Sequence, residues 1–354
     1  MKRRDYKKMR KKTSKTRLGV KIGLLLSLTV LLSIAAYGLS LKQKAEQAVD
    51  RAYEAVPSTP KSEVRAEAKV EPSKDNVSIL LIGVDDSEAR MQGDSHSRSD
   101  ALLVATFNPE EKSVKLLSIP RDSYVYIPKV GYKDKITHAH AFGGTHAAIE
   151  SVEEMLDIPI DYYVKMNFNA FIEVVDALGG IEVDVPYNRL EKDENDKNTI
   201  QLKKGLQVLD GRHSLALART RKLDSDLERG KRQQMILQAI IKEMVSVKSI
   251  AKYGDVIEAV GDNMKTDMTF KEMTSFWEYA KGGMPQIDAI SLQGYDDWST
   301  GIYYYKLKEN DLENVRQLLK AHLGLIPDSS ALTDSNSNII GTTDETAEGS
   351  DGLN

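Results

Sequence analysis

Hydrophobic positions first organise into short strand-like runs after residue 76. Val77–Gly83 is an apolar strand that exits onto Asp85 and Asp86. A polar loop over 87–99 leads to a second strand, Ala101–Phe107. A turn at Asn108-Pro109 precedes a third, Val114–Ile119, which ends at Pro120-Arg121-Asp122. The period then lengthens from two to that of a helix. Thr145 is placed to cap a helix to Leu156, and Asn167 another that runs to Leu178 and stops at Gly179-Gly180. Ile181–Val185 alternates as a strand, and residues 191–200 form a charged excursion. Helices are predicted from Asp210 to Arg219, from Arg229 to Val247, at 269–280 and at 308–323, with a strand near 288–293. Strands and helices mix without repeats, which predicts an α/β fold: three layers, α-β-α, around a central mixed sheet.

The ends of the chain follow other patterns. Ile22–Leu41 is a run of 20 residues without a charge, the length of a bilayer-spanning helix. It is longer than the apolar core of a cleavable signal peptide and lacks a small-x-small exit before Lys42. It therefore predicts one transmembrane helix acting as a signal-anchor. Ala45, Ala48, Val49, Ala52 and Val56 fall at helical spacing in a short amphipathic stalk, and Pro57, Pro60 and Pro72 punctuate a tether. The tail is rich in Ser, Thr, Asp, Asn and Gly and reads as disordered. The expected organisation is a basic head at 1–21, an anchor at 22–41, a stalk and linker at 42–75, a folded body at 76–325 and an acidic tail at 326–354.

Charge sharpens this layout. Of 49 basic and 53 acidic residues, 11 basic and one acidic lie in residues 1–21, so the remainder has 38 and 52, a net of −14. The basic flank predicts a cytoplasmic N-terminus and an extracellular body in a single-pass membrane protein. An acidic body argues against nucleic acid as a partner. The 354 residues contain no cysteine, which excludes a disulfide scaffold, a thiol nucleophile and thiolate metal sites. Neither usual glycine-rich phosphate loop is present, so a P-loop or dinucleotide enzyme is not indicated.

Three charged clusters fall where elements end. Asp85, Asp86, Arg98 and Asp100 flank the first two strands. Two carboxylates at one sheet edge suit a magnesium ion completed by water and phosphate; a solvated loop with an ion pair is the alternative. Arg121, oriented by Asp122, is placed either to bind phosphate or to make a turn salt bridge. The third cluster runs from Arg212 to Gln233, with Arg219, Arg221, Asp226, Arg229, Arg232 and Gln233 among its members. Arg229, Arg232 and Gln233 share one helix face near a helix start, where basic residues oppose the dipole unless an anion binds there. An ordinary charged surface is the competing reading.

GVDD…SRSDALLVATFNP at 83–109, SIPRDSYVYIP at 118–128, KITHAHAFGG at 135–144 and LDGRHSLALARTRKLDSDLERGKRQQ at 209–234 together resemble the LytR-CpsA-Psr family. The resemblance covers 76–247 with several motifs in family order and weakens beyond. It implies a phosphotransferase that attaches polyprenyl-pyrophosphate-linked anionic glycopolymer, such as wall teichoic acid, to peptidoglycan in Gram-positive bacteria. Carried over by motif, Asp85 and Asp100 would hold Mg2+ (or Mn2+), and Arg98, Arg121, Arg219 and Arg221 would grip the pyrophosphate. Asp226, Arg229, Arg232 and Gln233 would line or brace that pocket. Apolar residues of the sheet and of the helices at 145–178 would form a groove for the polyprenyl chain. Many relatives place an arginine one or two residues after the first aspartate; here Ser87 follows Asp86 and the next arginine is Arg90. His138 and His140 are either sugar contacts or structural histidines.

The implied reaction needs no nucleotide, because the donor already carries an activated phosphate. A peptidoglycan hydroxyl, by resemblance the MurNAc 6-OH, would attack, with Arg121 stabilising charge and Asp100 or Asp122 accepting the proton. Rival readings are hydrolysis of the same pyrophosphate, a non-catalytic envelope regulator at the membrane, and a wall-attachment protein that only binds.

Overall fold

A computed structural model of the chain describes residues 32, 35–56, 70–85, 97–220, 226–244, 264–276 and 284–327. Its centre is a six-stranded mixed sheet in the order β11-β6-β1-β2-β3-β12, made of Met264–Thr266, Tyr162–Met166, Val77–Val84, Ser99–Asn108, Ser113–Ser118 and Gln286–Ser291. β1, β3, β6 and β12 run in one direction and β2 against them. The first three strands thus form where the apolar runs predict them: β1 ends one residue later, β2 starts two earlier and ends one later, and β3 is shifted back by one.

Both faces of the sheet are covered, so its strands are apolar on alternate and on consecutive positions. Leu80, Ile82 and Val84 of β1 join Leu102, Val104 and Leu117 under two helices, α2 (Ile136–Leu156) and α7 (Glu309–His322). Val77 and Ile79 face the opposite side, toward Tyr162 and Met268 beside α6 (Phe270–Ser275). On that same side Ala105, Val114 and Leu116 pack with Leu237 of α5 (Asp226–Met244). This is the expected three-layer arrangement around a mixed sheet. His322 is buried between Thr106 Oγ1 and Ser113 Oγ, each 2.8 Å from a ring nitrogen, and pins α7 to the sheet.

A second cluster stands beside the sheet. α3 (Phe168–Leu178) is capped by Asn167, whose side chain accepts from Ala170 N at 2.8 Å, and ends at Gly179 with φ 83°. The β7–β10 ladder (Ile181–Val185, Gly205–Leu209), the β8–β9 hairpin (Arg189–Lys192, Asn198–Leu202) and α4 (Gly211–Arg219) bury Val183, Ile200, Leu202 and Leu217 against Ile236 of α5. Gly211 is required where α4 starts, because an added Cβ would lie 2.3 Å from the Ile172 carbonyl oxygen of α3. The close approach fixes the exit direction of α4.

Two expectations are corrected. The transmembrane helix predicted over 22–41 is not found: among the described residues no helix is long and apolar enough to cross a membrane. The described part of that span belongs to α1, residues 35–52, which continues into Lys42, Lys44, Glu46 and Asp50. From Lys42 on, α1 is the amphipathic stalk that the residue spacing predicts, with Ala45, Ala48, Val49 and Ala52 buried. The single-pass topology, the signal-anchor and the inside–outside assignment drawn from that helix fall with it. Residues 1–31, residues 57–69 of the tether and the tail from 328 lie outside the described residues.

The stalk, moreover, is docked on the body. Glu54 N donates to Thr266 O at 2.8 Å and Tyr163 Oη to Glu54 O at 2.7 Å, extending the β11 edge. The second correction concerns α2. It begins at Ile136, not at Thr145, and a kink at Gly143 and Gly144 divides it where the sequence predicted its start. Gly144 takes φ 66° and ψ −156°, a conformation open to glycine.

Candidate functional site

Strand direction gathers the charged clusters. The C-terminal ends of β1, β3, β6 and β12 share one edge of the sheet with the N-terminal end of β2. That edge is where open α/β sheets place ligands. Asp85 follows β1 and is 2% exposed. Across from it, Gly83 pairs with Ala101 and Val84 with Ser99, so Asp100 is the extra residue of a β-bulge. A bulge re-aims its side chain out of the regular pleat.

Arg121 follows β3 at the same edge. Its Nη1 donates to Asp100 Oδ1, and its Nε lies 3.5 Å from Asp122 Oδ2. Asp122 is buried, and Lys135 Nζ sits 2.9 Å from its Oδ1. Burial pushes the Asp122 carboxyl up, but the Lys135 ammonium and the Arg121 guanidinium outweigh it and hold the group below the ordinary carboxylate range. Asp226, at the start of α5, also reaches Asp122.

The third cluster arrives from the neighbouring subdomain. Arg219, the last residue of α4, places Nη2 3.9 Å from Asp85 Oδ2. Its fork is held by Asp193 O at 3.0 Å and Asp196 Oδ1 at 3.1 Å, and its guanidinium lies 4.4 Å over the Phe168 ring. These contacts fix its plane, which a lone surface arginine lacks. Arg229 is buried and pairs with Asp226 at 3.1 Å. Arg232, also buried, donates to Thr220 O at 2.7 Å and lies 5.7 Å from the Tyr187 ring centre. Gln233 reaches Ala218 O at 3.4 Å. The last two brace the C-terminal end of α4, and so the root of Arg219.

The structure thus joins Asp85 to Arg219 in one pair, and Asp100, Arg121, Asp122, Lys135, Asp226 and Arg229 in a second network, both at the same sheet edge. Arg98 stands apart as an exposed residue just before β2. Arg221, Asp86 and Arg90 lie outside the described residues. His140 is structural: buried, its Nδ1 donates to Ser97 O at 2.8 Å and ties α2 to the lead-in of β2. His138 pairs with Asp134 Oδ2 at 2.8 Å.

Five participants were not singled out by sequence. Lys135 reads as an ordinary lysine at the start of KITHAHAFGG, yet it neutralises Asp122. Phe168 is the first residue after a helix cap, and Asp193 and Asp196 belong to the charged excursion. Gln234 donates to both Leu116 O and Ile290 O at 2.7 Å, locking α5 onto β3 and β12. Gly230 enables that approach, since an added Cβ would lie 2.4 Å from Ser118 Oγ.

Among the described residues no group of three or more His, Cys or acidic side chains could hold a metal ion alone. The buried Asp85 and the bulge-borne Asp100 are hard oxygen donors at one sheet edge. They suit a divalent cation whose remaining ligands are water and phosphate.

Comparison with known proteins agrees with this geometry. The profile of the LytR_cpsA_psr family matches residues 38–321. The polyisoprenyl-teichoic acid–peptidoglycan teichoic acid transferase TagT of Bacillus subtilis (strain 168) is 43% identical over 257 residues, which are 72% of this chain and 79% of TagT. The solved structure of TagT bound to LI-WTA superposes with a TM-score of 0.66 at 39% identity, covering 77% of this chain and 99% of that one. A structure of TagT with bound octaprenyl pyrophosphate lipid gives 0.62 at 37%, with the same coverage.

Proposed function

Because the chain belongs to the LytR_cpsA_psr family, we infer that it is a transferase moving a glycopolymer of the wall teichoic acid kind from a polyprenyl-pyrophosphate carrier to peptidoglycan. The donor is a membrane lipid, so the protein works at a membrane surface. One observation carries the reading: basic side chains from two subdomains converge on carboxylates at one sheet edge, beside Arg121.

The chemistry is a phosphoryl transfer. An acceptor hydroxyl oxygen bonds to the phosphorus that carries the glycan, and the bond from that phosphorus to the bridging oxygen breaks. Polyprenyl phosphate leaves with the electron pair, and the hydroxyl proton passes to a carboxylate. The product is a phosphodiester. Arg121 and Arg219 are the donors best fixed to stabilise charge on the phosphoryl oxygens, with Arg98, just before β2, as a further cation and Arg221 as the one the family motif would add. Asp226, Arg229, Arg232 and Gln233 position this set from α5. Asp100 or Asp122 is the proton acceptor: Asp122 is held low and makes a weak base, and Asp100 is a weak one too while it holds a cation.

Asp85 and Asp100 would hold Mg2+, or Mn2+, which supplies charge neutralisation at the pyrophosphate. Chelation is expected to lower transfer of labelled glycan to isolated sacculi by about 10²-fold or more, with recovery on adding Mg2+. Transfer unchanged in excess EDTA would remove the metal from the account.

A further inference from the structure

The hairpin of β13 (Gly294–Asp297) and β14 (Tyr304–Leu307) extends from the same sheet edge and plays no part in the chemistry above. It is joined to the site at its root. Tyr305 N donates to Asp122 O at 2.9 Å, Ser123 bridges to Tyr305, and Lys135 Nζ lies 5.5 Å from the Tyr303 ring centre and 5.7 Å from that of Tyr304. Its tip is aromatic and open: Trp298 is 65% exposed and Tyr295 54%.

The tip is also built. Asp297 accepts from Ser299 N and Oγ at 3.1 Å and pairs with Lys306 at 2.7 Å. Gly301, at φ 78°, closes a turn onto Trp298 O at 2.9 Å. Trp298 and Tyr303 rest ring against ring at 5.1 Å, tilted by 45°. Tyr303 Oη donates to Asp296 Oδ1 at 2.9 Å. Burial and that bond, with Asp226 and Asp122 nearby, push the phenol well above its ordinary range and keep the donor protonated.

Solvent-facing aromatic rings pre-set beside carboxylates have the chemistry of a sugar platform: the rings meet the apolar face of a pyranose and the carboxylates accept from its hydroxyls. Charge selects among possible occupants. Asp296 and Asp297 disfavour an anionic bilayer and a polymer with a phosphate in every repeat, whereas the glycan backbone of peptidoglycan carries one carboxylate per disaccharide, on N-acetylmuramic acid, and none on its N-acetylglucosamine rings. We propose that the Trp298 hairpin is the acceptor subsite, seating the glycan strand of peptidoglycan so that its hydroxyl faces the phosphoryl centre. This rests on the transferase reading for the identity of the acceptor.

The test is a fluorescence titration of the full chain with tetrasaccharides of alternating N-acetylglucosamine and N-acetylmuramic acid, without donor. The Trp298 signal is taken as the difference between the wild type and Trp298→Phe. A saturable change is expected, together with an acceptor KM about tenfold higher in Trp298→Ala, while donor KM stays unchanged. A flat titration or an unchanged acceptor KM in an active enzyme overturns the proposal. So does a Trp298 response to vesicles of phosphatidylglycerol with none to the tetrasaccharide, which would make the hairpin a membrane contact. Saturable sugar binding by a chain that transfers nothing would keep the platform and remove the transferase reading, so the two failures are distinct.

Discussion

Arg121→Ala is expected to lower kcat/KM for glycan transfer by about 10²–10³-fold, the usual loss for one pre-set donor at a developing oxyanion. The side chain stands at the exit of β3 between Asp100 and Asp122, with about 12% of its surface exposed, so its fork is aimed before substrate arrives. Pre-aimed donors need no reorganisation during the reaction. Arg121→Lys keeps a point charge but loses the planar pair of donors, and an intermediate loss is expected. Circular dichroism and the thermal midpoint separate this from misfolding. A folded Arg121→Ala protein within threefold of wild-type activity would place the phosphoryl centre elsewhere.

Lys135→Met is expected to cost about 2–3 kcal/mol of stability near neutral pH, below the roughly 3–5 kcal/mol of a fully buried ion pair because Lys135 is only partly buried and Arg121 stays beside Asp122. In a body of this size that lowers the thermal midpoint by roughly 5–10 °C. The sign of the pH dependence follows from Asp122. Its carboxyl is held below the unfolded value of about 3.9, so its contribution is complete above that pH and is lost as pH falls through the folded value. Without Lys135, burial is less opposed and the group rises. The gap between variant and wild type is therefore widest at pH 7 and narrows below about pH 4, as Asp122 protonates. Unfolding followed across that range is the check. A gap independent of pH would mean that Lys135 acts through packing alone. Asp122→Asn in the same background should recover part of the loss.

Much of this site follows from local rules. The continuous apolar run of Val77–Val84 is legible because both sheet faces are buried, and Asn167 and Gly179 bound α3 by their capping chemistry. The charged exits of β1 and β3 mark the working edge once the strands are in order. What escaped depends on long-range contacts. Lys135 matters only because β5 (Tyr132–Lys135) folds beside β4 (Tyr124–Ile127) and returns it to Asp122. Asp193 and Asp196 look like solvated loop charges until the β8–β9 hairpin brings them under Arg219. Over 22–41 the apolar count predicted a membrane span, whereas among the described residues no helix is long and apolar enough to cross one; the amphipathic stalk that follows was legible from the spacing of its alanines. The family motifs, spread over several elements, identified the edge better than any one cluster did.

The central claim is that a wall hydroxyl, and not water, takes the phosphoryl group. The most direct measurement is the reaction of the full chain with a polyprenyl-pyrophosphate-linked saccharide and peptidoglycan oligomers in water enriched in oxygen-18, read by mass spectrometry. The account predicts a saccharide–peptidoglycan phosphodiester with no heavy oxygen, formed together with polyprenyl phosphate. Free saccharide phosphate carrying one heavy oxygen, with the oligomers unmodified, would contradict it and make the protein a hydrolase.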